Sequence, residues 1–154
     1  MLIRDAVYDD DVAIEKIVMS NWDKDIAYSA VLEFDEMFKS GSKWPPHYYV
    51  AEVDGQVVGC GGLKSAWLMT NTYELIWVNV HKDFKGRGIG KALTERRLKH
   101  IRDLDGRLVL LMTKSPFFFK PFGFYVNNVF DGYALMSLHL GKVEISGKDQ
   151  YMPT

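Results

Sequence analysis

Residues 2–8, LIRDAVY, alternate apolar and polar positions and are rich in branched side chains, which predicts a first strand. The Asp9–Asp11 cluster offers an N-cap and favourable charge for a helix to about Ser20, with Val12, Ile14, Ile17 and Val18 facing inward. A second helix over roughly 26–39 turns Ile26, Val31, Phe34 and Phe38 to the core and ends at Gly41. KWPPH then breaks the chain. YYVAEVDGQVVGCGGLKSAW reads as strand, Asp54-Gly55 turn and strand. YELIWVNVH is nearly apolar throughout and predicts a central strand. Helical spacing returns from Gly88 to about Leu104 through Ile89, Leu93, Leu98 and Ile101, with an outer face rich in Arg and Lys. RLVLLMT (107–113) predicts a continuous buried strand. In SPFFFKPFGF a short helix starts, with Ser115 as cap and Pro116 in its first turn, and Pro121 ends or kinks it. YVNNVF and YALMSLHL close the pattern as two strands around Gly132, before a polar tail. The order β-α-α-β-β-β-α-β-α-β-β predicts one α/β domain over residues 1–140, with residues 141–154 as the tail.

A chain of 154 residues buries a proper core without metal or disulfide staples. Lone Cys60 forms no internal disulfide and points to a reducing, cytoplasmic setting. No apolar run is long enough to span a bilayer, and the acidic N-terminus does not fit a secretory signal. His47, His81, His100 and His139 lack ligand spacing, so no metal is expected. The net charge of −1 hides an asymmetry: residues 81–100 hold seven Lys/Arg against Asp83 and Glu95, whereas residues 1–55 hold twelve Asp/Glu against five Lys/Arg.

The basic stretch coincides with three glycines in five positions, Gly86, Gly88 and Gly90, at the threshold of the third helix. A strand, a glycine-rich turn and a basic helix start together make an anion cradle, because bare backbone lets phosphate oxygens reach the first-turn N–H groups. A Walker A loop is excluded, since it requires Gly where Lys85 stands and Ser/Thr where Ala92 stands. A Rossmann fingerprint is excluded by the alternating spacing and by the loop's place after the fourth strand.

VNVHKDFKGRGIGKAL resembles the acetyl-CoA-binding motif of the GCN5-related N-acetyltransferases: an apolar strand, a short polar loop, then Q/R-x-x-G-x-G/A opening a helix. Lys85 stands in place of the usual Gln or Arg. The paired helices after the first strand, the Asp-Gly hairpin and FFFKPFGF extend the likeness from Leu2 to about Leu140. The resemblance implies a mixed, largely antiparallel sheet flanked by helices. It implies acetyl-CoA as cosubstrate and transfer of the acetyl group to a primary amine of a small molecule or peptide by direct attack on the thioester.

In that family the strand before the loop bulges and parts from its neighbour, and the pantetheine arm pairs with the exposed backbone. By resemblance, the Val78 N–H polarises the thioester carbonyl, Asn79 and Val80 hold the arm, and Lys85, Gly86, Arg87, Gly88, Ile89, Gly90 and Lys91 take the pyrophosphate. Glu74, a lone carboxylate in an apolar strand, stands where some members carry a catalytic glutamate; burial would raise its pKa and suit it to deprotonate the amine, and a cross-strand ion pair is the alternative. Phe119 falls where many members place a proton-donating tyrosine beside the CoA sulfur, and it has no proton to give. Alternation after Phe124 aims Tyr125 away from that sulfur. Trp22, Tyr28, Trp44, Tyr48, Tyr49 and Trp67 read as core and helix packing, with one or two at the acceptor cleft. The acidic segment 1–55 borders that cleft in relatives and favours a cationic acceptor.

A domain that holds CoA without turnover is the rival reading. Nucleic-acid and membrane partners are not expected, since the acidic remainder repels phosphate backbones. A homodimer stays open.

Overall fold

The computed structural model describes residues 1–141; the expectation for the tail lies beyond them. The elements follow the predicted order: β1 (Leu2–Asp5), α1 (Asp11–Met19), α2 (Lys24–Asp35), β2 (His47–Val53), β3 (Gln56–Ser65), β4 (Thr72–Val80), α3 (Ile89–Asp103), β5 (Leu108–Thr113), α4 (Pro116–Phe119), β6 (Tyr125–Phe130) and β7 (Tyr133–His139). The strands form one seven-stranded sheet in the order β1-β2-β3-β4-β5-β7-β6. Only β4 and β5 run parallel. β4 is therefore the central strand, as its apolar run predicts.

Helices cover the two sheet faces unequally. Ile89, Leu93, Leu98 and Ile101 of α3 pack on Tyr49, Leu75, Val109 and Met136, and Phe119 and Phe124 complete this core. On the opposite face, Ile14, Ile17, Val18, Ala27, Ala30 and Phe34 of α1 and α2 cover Tyr48, Val50 and Cys60. Burying side chains of this size contributes about 1.5–3 kcal/mol each. Among the described residues no helix covers that face over β5 and β7, and Met112 and Leu135 are exposed. The expected two-sided burial of residues 107–113 thus holds for one face alone, through Val109 and Leu111.

Several local expectations shift for clear reasons. Asp10 does not cap α1; its carboxylate accepts from Val7 N–H at 2.8 Å and from both terminal nitrogens of Arg4 at 2.9 and 3.0 Å. Burial acts to raise its pKa, but these donors outweigh it and hold the carboxyl below the usual range. Val12 is exposed, outside the stripe set by Ile14, Ile17 and Val18. In α2 the small residues Ala27 and Ala30 face inward with Phe34, Val31 is half-buried, and the helix gives way to a 3₁₀ turn at Glu36–Phe38 that leaves Phe38 partly exposed. The Asp54-Gly55 turn has φ of 50° and 77°, the mirror-image turn that matches strand twist. Of the aromatic residues expected in packing roles, Tyr48 and Tyr49 are buried, whereas Trp22, Tyr28, Trp44 and Trp67 are exposed.

Candidate active site

β4 and β5 pair only over Thr72–Leu108, Tyr73–Val109 and Glu74–Leu110. Beyond that point, among the described residues, β5 pairs with β7 alone and the edge of β4 from Leu75 to Val80 has no strand partner on that side. A bulge lies in the same stretch: the β3–β4 register shifts between Cys60 and Gly62, and Trp77 sits at φ 51°. Left-handed backbone costs a non-glycine residue about 1–2 kcal/mol, so something must hold it. Trp77 Nε1 donates to Glu33 on α2, and the buried Cys60 thiol lies 3.7 Å from the Trp77 carbonyl. Burial pushes that thiol's pKa up to about 12, so it stays protonated.

These anchors aim two amides. A trans peptide points its C=O and N–H in opposite directions. With the Trp77 carbonyl turned to Cys60 on β3, the Val78 N–H points away from β3, toward the opening. His81 N–H donates to Val58 on β3 at 2.8 Å, so strand alternation turns Val80 the other way as well. Asn21 Nδ2 reaches the Val80 carbonyl at 2.9 Å from that open side. By the same alternation the Asn79 backbone faces β3, and its buried side chain accepts from Trp22 Nε1 at 3.1 Å and Asn21 Nδ2 at 3.3 Å. Asn79 therefore braces the α1–α2 turn with its side chain, and of the two residues expected to hold the arm, Val80 is the one whose backbone turns to the open side.

The strand leads into the glycine loop. Gly86 and Gly88 adopt φ of 77° and 78°, open to glycine at no strain, and a Cβ at either would meet no protein atom within 4 Å. Gly88 is the N-cap of α3 and supplies no side chain to the first turn. The first helical bond runs from Ala92 N–H to Gly88 O at 3.0 Å, so the preceding N–H groups of Ile89, Gly90 and Lys91 face outward. The Ile89 side chain is core. Lys85 and Arg87 are exposed around the loop; the Arg87 guanidinium lies 4.9 Å from the Phe84 ring centre, and Lys91 lies 3.8 Å from Glu95. Gly90 is tight against α4: a Cβ there would sit 3.2 Å from Phe118 and 3.7 Å from Val80. A cavity of about 550 Å³ opens beside it, lined by Lys91, Glu95, Phe117, Phe118, Pro121 and Phe122. Another, of about 290 Å³, lies at the far end of β4 between Trp44, Trp67 and Tyr73. Only the first adjoins the loop.

On the α1–α2 face, Glu74 belongs to the last β4–β5 pair, at the vertex of the opening. Its side chain is 41% exposed and lies 3.9 Å from Lys64 Nζ, which also pairs with Glu33 at 2.6 Å. The burial anticipated for Glu74 is therefore absent, and the cross-strand ion pair is present. Phe119 is buried with its ring edge-on to Phe118 and Phe124. Tyr125 turns its hydroxyl to His139 Nε2 at 2.8 Å, stacked on that ring and away from the loop.

Three site residues were not foreseen. Lys114 Nζ, just past β5, lies 5.5 Å from the Trp22 ring centre and 4.9 Å from that of Tyr133, linking the α1–α2 turn to the start of β7. It has no carboxylate within 4 Å among the described residues. Asn21 gives no sequence signal. Arg97, counted with the outer basic face, is fully buried under the sheet.

No group of three or more His, Cys, Asp or Glu side chains among the described residues is placed to hold a metal. No helix there is long and apolar enough to cross a membrane.

Comparison with known proteins agrees with this geometry. A structure from Desulfovibrio desulfuricans, described as a putative acetyltransferase of the GNAT family, superposes with a TM-score of 0.81 at 20% identity, covering 91% of this chain and 99% of that one. Rv2747 of Mycobacterium tuberculosis, solved with CoA and NLQ, gives 0.67 at 25% identity over 91% of this chain and 99% of that one. In sequence, an amino-acid acetyltransferase of Mycobacterium tuberculosis is 38% identical over 80 residues, which is 50% of this chain and 45% of that protein. The chain thus matches about half the length of that curated relative. The model of the acetyltransferase (GNAT) family matches residues 13–124, well over half of the chain, and the protein belongs to that family.

Proposed function

We propose that the protein is an acetyl-CoA-dependent N-acetyltransferase that moves the acetyl group to a primary amine without a covalent enzyme intermediate. The observation that carries this reading is the aimed Val78 amide on a parted strand edge that leads directly into the glycine cradle. The pyrophosphate rests on the first turn of α3 among Lys85, Arg87 and Lys91, and the pantetheine lies along the open edge of β4. The Val78 N–H meets the thioester oxygen where negative charge grows, and such a fixed donor is worth roughly 3–4 kcal/mol in the transition state. The neutral amine attacks the carbonyl carbon, the C–N bond forms, and the C–S bond breaks to release the CoA thiolate. Glu74 stands four residues from Val78, roughly 10–13 Å along a strand, so it takes the amine proton through water. Phe119 offers no acid; a thiol of pKa about 8.5 is a tolerable leaving group without one.

The acceptor in this reading is an amine that also bears a carboxylate, as an amino acid does. Lys114, held between two aromatic rings with no carboxylate partner, suits that group. The name of the matched relative favours it too. The cationic acceptor expected from the acidic segment is less well supported, because Asp10, Glu33, Glu36 and Glu52 already have cationic partners. Thiol release from acetyl-CoA, followed with free amino acids, polyamines and peptides, tests both levels. No product with any amine, despite CoA binding, would leave the rival non-catalytic role; turnover of polyamines alone would remove the carboxylate.

A further inference from the structure

Arg97 is the largest fully buried side chain in the described structure, and it carries a charge with no carboxylate beside it. Its Nε donates to Leu93 O at 3.2 Å, and one terminal nitrogen donates to Thr94 Oγ1 at 3.2 Å, both within α3. The other terminal nitrogen leaves the helix. It donates to Gly62 O at 3.0 Å and, at 3.4 Å, to Ile76 O. Gly62 and Ile76 are the facing pair at one flank of the β3–β4 register shift, so this nitrogen ties the two strands together where the bulge begins. Gly61 makes the approach feasible: a Cβ there would lie 3.0 Å from the guanidinium carbon. Burial lowers the guanidinium pKa to about 10, which leaves it charged at neutral pH.

A buried ion held by carbonyls and one hydroxyl, with no carboxylate, is a costly way to fill a core, and an apolar residue of similar volume usually matches or exceeds its stability. What the guanidinium supplies is direction. Ile76 O belongs to the peptide immediately before the Trp77–Val78 peptide, so the two carbonyls of the bulge are held from opposite faces, one by Arg97 and one by Cys60. We infer that Arg97 is a positioning residue for the oxyanion donor: it fixes the bulge so that the Val78 N–H meets the thioester oxygen. This rests on the proposed acetyl transfer, and it assigns the basic helix a role apart from phosphate binding.

Arg97→Met is the test, with Gly61→Ala as a milder variant that crowds the guanidinium and leaves it charged. Arg97→Met is expected to melt near or above the wild-type temperature and to bind CoA within about threefold, while kcat falls by about 10²-fold, the scale of a lost oxyanion donor. Gly61→Ala should lower kcat in the same direction with CoA affinity intact. A filler role alone predicts the reverse for Arg97→Met, with a lower melting temperature and unchanged kcat, and that result would overturn the inference. If Arg97→Met does not fold, Gly61→Ala decides by its kcat. The ¹⁵N resonance of Val78 gives a readout independent of turnover: acetyl-CoA should shift it in the wild type and far less in Arg97→Met. Equal shifts in both would also overturn the inference. Wild-type protein that shifts Val78 on binding acetyl-CoA yet acetylates nothing would count against the proposed function and leave the positioning role standing.

Discussion

Gly88 caps α3 and Gly90 lies in its first turn, yet replacing each by alanine should act differently. Gly88 has φ 78°, and a Cβ there meets no protein atom within 4 Å, so its penalty is backbone strain. That strain costs about 1–2 kcal/mol. For a domain of this size the melting temperature should fall by about 2–8 °C. Gly90 has no such constraint, and alanine there gains up to about 1 kcal/mol of helix propensity. Against this, Phe118 at 3.2 Å must yield by a few tenths of an ångström, which its partly exposed ring can do. Net stability should change by less than about 1 kcal/mol. The added methyl turns to the Phe118 and Val80 side chains, and the family motif reads Gly or Ala at this position, so the first-turn amides should stay open. CoA binding should therefore change by less than about threefold, under about 1 kcal/mol. Thermal unfolding by circular dichroism and titration calorimetry with CoA measure the two effects separately. A loss of CoA affinity of about tenfold or more in Gly90→Ala would refute the reasoning.

Glu74→Gln should move or erase the acidic limb of the rate–pH profile while CoA affinity holds; an unchanged kcat and profile would make Glu74 purely a partner of Lys64. Tyr125→Phe should change kcat by less than about threefold, because its hydroxyl is committed to His139; a collapse toward the 10²-fold scale of general acid catalysis would identify it as the acid. Asp10→Asn should cost about 2 kcal/mol at neutral pH in urea unfolding, since it breaks charged hydrogen bonds to Arg4. Asp10 has a depressed folded pKa, so its contribution is complete above the unfolded value near 3.9 and is lost as pH falls through the lower folded value. The gap between wild type and variant should therefore close in that acidic window. Lys114→Met should raise KM for an amino-acid acceptor by about tenfold or more and leave CoA affinity alone; an unchanged KM removes Lys114 from acceptor recognition.

The element order and the glycine cradle were legible in the sequence because each rests on local chemistry. Asp54-Gly55 dictates its own turn, and Ile89, Leu93, Leu98 and Ile101 describe one helix face without help from elsewhere. Arg97 was misread by its charge, although it sits four residues from both Leu93 and Ile101, squarely on the apolar stripe. That position, with paired glycines Gly61-Gly62 in a facing strand, was the available signal of a close approach. The parting of β4 from β5 was expected through the family resemblance alone, and the left-handed Trp77 left no local mark, because both arise from partners distant in sequence. For Glu74 the sequence left burial and a cross-strand ion pair both open, because apolar neighbours on β4 serve two faces. Only the fold reveals that its own face is open beside Lys64.

The parted strands also have a consequence for the protein at rest. Exposed strand edges normally occur at a sheet's margin, where proteins blunt them against adventitious pairing. Here two edges lie in the middle of the sheet, and Asn21 occupies only the Val80 carbonyl. In the proposed function the cofactor's amide-bearing arm would serve as the missing strand, sealing a seam as well as presenting a substrate. Free protein should exchange its Val78 and Val80 amide hydrogens quickly for a central strand and should be the more prone to self-association. At CoA a hundredfold above its dissociation constant, linkage adds about 2.7 kcal/mol to stability. The cellular abundance of this chain would then follow the supply of its cosubstrate.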